Sequence, residues 1–282
     1  MASTQIPGPC LPPYRAQPDM ALLDPQEHAS ELADWVERIP AASEPVEREA
    51  WDNVYAWLRL ASGLRTVTFD MAYEDGGMCS AGDDFDYVWS NMMGEWQLHQ
   101  VRLGYTRAAL EALVRVLRPD LPTPGPAIEA AELRLTQAGQ ELPLHAREAA
   151  LHFLGHAMGS TESAASLAVA VTQAVGAHEL AAHGFTRIPQ PAHDDDMQSF
   201  PAGHDEICTS REATSILLLG VQALLAWAVE EQYIVAPNED KFLYEGMWVP
   251  DSAGGSRWVD QEIAYGDYLA VLQLDHGDPP DL

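Results

Sequence analysis

The chain has 282 residues, 47% hydrophobic and 21% charged, which supplies material for a sizeable core and argues against global disorder. Forty-three acidic residues against 15 basic ones leave a formal charge of −28, a field that repels nucleic-acid backbones and argues against broad, salt-driven DNA binding. No apolar run reaches the ~20 residues of a membrane span, and no basic-then-apolar leader is present. Cys10, Cys79 and Cys208 show no metal spacing and make an odd set, so the expectation is a cytoplasmic protein with no membrane contact and no disulfide framework.

Residues 1–23 carry five prolines and no periodicity, which predicts a flexible leader. Asp24-Pro25-Gln26-Glu27 combines an N-cap, a first-turn proline and a capping-box acid, and predicts a helix to about Ile39. Ser43 caps a second helix, in which Val46, Ala50, Val54, Trp57 and Leu58 keep helical spacing. Alternation of Val67, Phe69, Met71 and Tyr73 predicts a strand over 64–73, followed by a glycine-bearing loop. A long helix is expected over 85–117, and its Trp89, Trp96 and Tyr105 read as core. After the proline-rich 119–126 come helices near 127–138, 143–158 and 161–183, the last ending at Gly184. A polar loop, 185–208, leads to Thr209-x-x-Glu212, a capping box for an apolar helix over 210–235. Segments 243–249 and 257–263 flank Gly254-Gly255 as a hairpin. The expected fold is mainly α, a helical bundle over 24–238 with a small β accessory, its 239–282 tail packing on the bundle. Only Lys241 interrupts an otherwise all-arginine basic set, a skew typical of GC-rich bacterial genomes.

Histidine placement carries the chemical signal. His145, Glu148, His152 and His156 share one stripe of the 143–158 helix, and Glu95/His99 and Glu179/His183 stand one turn apart on two others. Glutamates and imidazoles converging from facing helices build metal sites, so Glu95, His99, Glu148, His152, His156, Glu179 and His183 form a candidate ligand set for divalent iron, manganese or zinc in a helical oxidase or oxygenase. The bland alternative is a non-catalytic interaction protein, with these pairs facing solvent and worth a few tenths of a kcal/mol each. The acidic Asp194-Asp195-Asp196 run near His193 and His204 reads mainly as solvated loop. His178 and His183 are five residues apart, which breaks the zinc-protease spacing of four. Within the same helix, Glu179 is placed to orient His183 as an acid/base.

The segment His178-Glu179-x-x-Ala182-His183-Gly184, followed by the apolar 210–235 helix, resembles the HEPN superfamily of small helical ribonucleases over roughly residues 82–235. That family carries arginine, a polar residue, then histidine before a closing helix; here His178 occupies the arginine position. A literal arginine-x4-histidine also stands at Arg147/His152, with Glu148 beside the arginine. The resemblance implies a metal-independent endoribonuclease, or an inactive relative, in a stress or defence role. It further implies a homodimer pairing two sites and an RNA substrate entering a small site without any cofactor. Arg147, His152, His178, Glu179 and His183 are the candidate catalytic residues. Such cleavage needs a base for the 2′-hydroxyl proton, an acid for the leaving oxygen and a cation at the phosphate.

Overall fold

The computed structural model describes residues 23–39, 45–69, 80–117, 167–184, 188, 204–230, 234, 242–243, 247–250, 256–259, 262–263 and 269. The class is mainly α. Five helices share one apolar core: α1 Pro25–Glu37, α2 Pro45–Gly63, α3 Ser80–Leu117, α4 Leu167–Ala182 and α5 His204–Glu230. The helices expected near 127–138 and 143–158 lie outside the described residues, as does the leader.

Helix α1 starts where its sequence says it should. The Asp24 carboxylate accepts the Gln26 N–H at 2.9 Å, Pro25 occupies the first turn and Glu27 complements the dipole. Its buried stripe, Ala29, Leu32, Ala33, Trp35 and Val36, faces α2 and α5. Helix α2 presents Val54, Leu58 and Ala61 to the core at helical spacing. Helix α3, 38 residues and so about 57 Å long, is the spine along which α2 and α5 pack most closely. Helix α5 is apolar nearly all round: Ile216, Leu217, Leu218, Leu219, Val221, Leu224 and Leu225 are all buried. Such a helix belongs in the centre of a fold. Contrary to expectation, its Ile207–Val229 segment is long and apolar enough to cross a membrane, but most of it is buried inside the protein.

Two elements differ from expectation. Residues 64–69 run without a strand partner among the described residues, so over that stretch the 64–73 alternation does not make a strand; 70–73 lie outside the description. The segment is instead fixed against α3: Leu64 O accepts the Arg102 guanidinium at 2.6 Å, and the Val67 carbonyl presses on Gly94. A Cβ on residue 94 would collide with that carbonyl oxygen, which is why glycine is tolerated mid-helix there. Helix α5 begins at His204, so Thr209 and Glu212 lie inside it and do not cap it. Hydroxyls in this stretch bond backward along the helix, Thr214 Oγ1 to Ser210 O at 2.8 Å, the mid-helix habit of such side chains.

Among the described residues, four short strands, β1 Phe242–Leu243, β2 Met247–Pro250, β3 Ser256–Val259 and β4 Glu262–Ile263, form two antiparallel ladders: β1 with β4, β2 with β3. Cys208, buried on α5, is disulfide-bonded to a partner outside the described residues. That corrects the expectation drawn from the odd cysteine count: three cysteines still allow one bridge and one thiol.

Candidate functional site

One face of α3 builds the site. Trp96, Gln97, Gln100, Gly104 and Tyr105 recur at helical spacing and, with Trp57 of α2 and His178 of α4, line a cleft of about 450 Å³. That volume lies within the roughly 300–1,000 Å³ of small-molecule sites. The Trp57 and Tyr105 rings pack with centroids 5.9 Å apart at 36°. Gln100 Nε2 donates to Ser210 Oγ of α5 at 2.6 Å, which fixes its amide. The Trp96 indole N–H is buried without a hydrogen-bond partner.

Arg107, one turn beyond Gly104 on α3, organises the polar edge. Its Nε donates to Glu111 Oε1 and its Nη2 to Glu179 Oε1, both at 2.9 Å, and Nη1 lies 3.1 Å from His178 Nδ1. All three guanidinium nitrogens are therefore engaged, and two carboxylates offset one positive charge. Burial, then the Arg107 charge, push the His178 pKa below its usual value, while Glu179 and Glu111 pull it the other way. That shift and the Arg107 donor at Nδ1 both favour the neutral ring. A guanidinium can only donate, so Nδ1 accepts and the ring proton sits on Nε2. Nε2 lies over Gly104, where an added Cβ would come within 3.0 Å of it.

A second polar cluster joins α1, α2, α3 and α5. Buried Arg102 donates from Nε to Ala61 O at 3.1 Å and from Nη2 to Leu64 O and to Gln26 Oε1 at 3.3 Å. Arg211 Nη2 meets Asp24 Oδ2 at 2.7 Å. Beside them His99 has its pKa lowered to about 4, chiefly by burial and then by the charges of Arg102 and Arg211. Deeper in the core, His28 shares a 2.9 Å hydrogen bond between Nε2 and Gln222 Oε1, and burial lowers its pKa to about 4 as well.

Of the residues singled out from sequence, Arg147, Glu148, His152 and His156 lie outside the described residues. His178 and Glu179 are brought together with a guanidinium, but from α3, not from their own helix. Glu179 is bound to Arg107 and not to His183, which sits exposed on the turn after α4 with its backbone N–H on Glu179 O at 3.0 Å. Glu95 is exposed while His99 turns inward, so that pair is also separated. Among the described residues no group of three or more His, Cys, Asp or Glu side chains is placed to hold a metal ion. Tyr105 packs against the apolar core as expected and also lines the cleft, and Trp96 lines the cleft beside it. Arg107, Trp57 and Gly104 were missed from sequence. The one local trace was Gly104 itself, a helix-interior glycine that marks close approach by another element. Comparison with family models, with curated proteins and with solved structures returns no match.

Proposed function

We propose that the chain is a helical small-molecule-binding protein, its ligand held between α2, α3 and α4. One observation carries this reading: Arg107 is consumed by Glu111, Glu179 and His178, which leaves His178 as a neutral N–H donor beside an aromatic cleft. A phosphate-cleaving site needs an unspent cation and a histidine with a free lone pair; here Arg107 is spent on carboxylates and itself occupies the His178 Nδ1 lone pair. On this reading the HEPN-like segment keeps a helical bundle and has lost the family's chemistry. Leu269, in the C-terminal part of the chain, meets α5 where Gln222 Nε2 donates to its buried carbonyl at 2.6 Å. Differential scanning fluorimetry against a small-molecule library tests it. Hits that raise the melting temperature of wild type, but not of a cleft-filling Ala182→Phe variant, are expected; no such hit would count against it.

A second reading has one observation in its favour. An arginine does stand beside the HEPN-like segment: Arg107 lies 3.1 Å from His178, which holds the family's arginine position. Incubation with structured RNA in EDTA decides it. Cleavage that disappears in Arg107→Ala and in His183→Ala would establish the nuclease, and an unchanged RNA ladder would remove it.

A further inference from the structure

We infer that the ligand of this cleft is a flat, uncharged heteroaromatic molecule of nucleobase type, gripped through a ring carbonyl or unprotonated ring nitrogen; the inference rests on the binding reading above. The walls select for flatness, because three of the lining residues, Trp57, Trp96 and Tyr105, are aromatic and gain most from another aromatic surface.

The polar edge selects for an acceptor. His178 presents Nε2–H with no protein partner among the described residues. The Trp96 ring lines the cleft, and its N–H is buried with no hydrogen-bond partner among the described residues. An acceptor atom that reaches it after a small turn of the ring satisfies it. Gln100 complements them: its Nε2 is committed to Ser210, so its Oε1 is left to accept a ligand N–H. A molecule carrying a carbonyl and an N–H on the rim of a flat ring satisfies all of these groups.

Charge selects for neutrality. Among the described residues Arg107 is the cation next to the cleft, and Glu111 and Glu179 already offset it, so an added phosphate finds no free counter-charge among them and meets a chain of −28. A cation is drawn by that field but meets the His178 N–H donor, whose positive end faces the wrong way for it. The uncharged base is the chemistry that conflicts with neither.

Intrinsic tryptophan fluorescence of the full chain at pH 7.5 tests the inference with four probes: hypoxanthine, inosine monophosphate, naphthalene and benzyltrimethylammonium. Saturable quenching by hypoxanthine is expected, with affinity at least ~10-fold above each of the other three. His178→Ala is expected to weaken hypoxanthine by roughly 3- to 10-fold, the fold-change of one lost hydrogen bond, and Ala182→Phe, at an exposed rim position, to abolish it. Both variants are checked for wild-type circular dichroism, and Ala182→Phe stands as the control should His178→Ala unfold. Naphthalene binding as tightly as hypoxanthine would overturn the polar-edge inference and leave the cleft a binding site. Tighter binding of the nucleotide or the ammonium would overturn the neutrality argument alone. No saturable quenching by any probe, together with no stabilising hit in the library, would remove both the inference and the reading beneath it.

Discussion

A guanidinium shared between two carboxylates is no longer a free cation, and the imidazole next to Arg107 registers the difference. Arg107 lowers the His178 pKa, whereas Glu179 and Glu111 raise it. Replacing Arg107 with Gln should therefore move the His178 titration midpoint up, and Glu179→Gln should move it further down. Imidazole NMR shifts followed against pH measure both; the same direction of movement in the two variants would contradict the network. The two helix glycines make a separable pair of predictions. Gly94→Ala drives a Cβ into the Val67 carbonyl, which is backbone and cannot swing aside, so a loss of about 1–3 kcal/mol is expected in urea unfolding. Gly104→Ala meets only the His178 ring, a side chain that can tilt. Stability should change little there, while ligand affinity falls.

At the scale of elements, Arg102 closes the C-terminus of α2. The last carbonyls of a helix have no intrahelical donor, and the buried Arg102 guanidinium supplies Ala61 O and Leu64 O from a neighbouring helix while also holding Gln26 of α1. Arg102→Met is expected to destabilise by about 3 kcal/mol, because buried carbonyls are left unpaired. Arg102→Lys should recover only part of that, since an ammonium lacks the planar fork. A urea midpoint for Arg102→Met equal to wild type would refute the cap.

What sequence conveyed about these elements divides along the same physical line. Asp24-Pro25-Gln26-Glu27 announced α1 because capping is local, and Ile216–Val229 announced a buried helix because its apolar run is continuous. The 64–69 alternation misled because two-residue periodicity describes an extended chain whether or not a strand lies beside it, and here a side chain and a helix glycine take that place. Thr209-x-x-Glu212 misled because a capping pattern one turn inside a longer helix looks the same as one at its end. The site was half legible. His178 and Glu179 stand in one motif, but Arg107 is 71 residues from His178 and nothing local ties the two. The histidine signal split for a similar reason: spacing shows that two side chains share a face, not whether that face meets solvent, as Glu95 does, or the interior, as His99 does.

Two consequences belong to the molecule as a whole. His28 and His99 both have folded-state pKa values lowered from 6.5 to about 4 by burial. Between those values the unfolded chain binds protons that the folded chain refuses, so stability falls as pH drops from 6.5 towards 4 and levels off below. Each histidine contributes a slope of at most about 1.4 kcal/mol per pH unit. Urea midpoints at pH 7, 6 and 5 should decrease steadily, and His28→Gln should flatten the decline; a pH-independent midpoint would contradict the buried neutral histidines. The Cys208 bridge sets the thiol count: with three cysteines, one free thiol per denatured chain is expected without reductant, and all three after reduction. Finding three reactive thiols in unreduced protein would contradict the bridge.

Ligand binding in the cleft as proposed requires His178 to be a neutral donor. Nitrogen-15 spectra of its imidazole at pH 7.5 test this most directly. Nε2 is expected to carry the proton and Nδ1 to be bare in the free protein, with the Nε2–H signal shifting when hypoxanthine is added to saturation. A proton on Nδ1, a doubly protonated ring, or an Nε2–H signal indifferent to the base would contradict it.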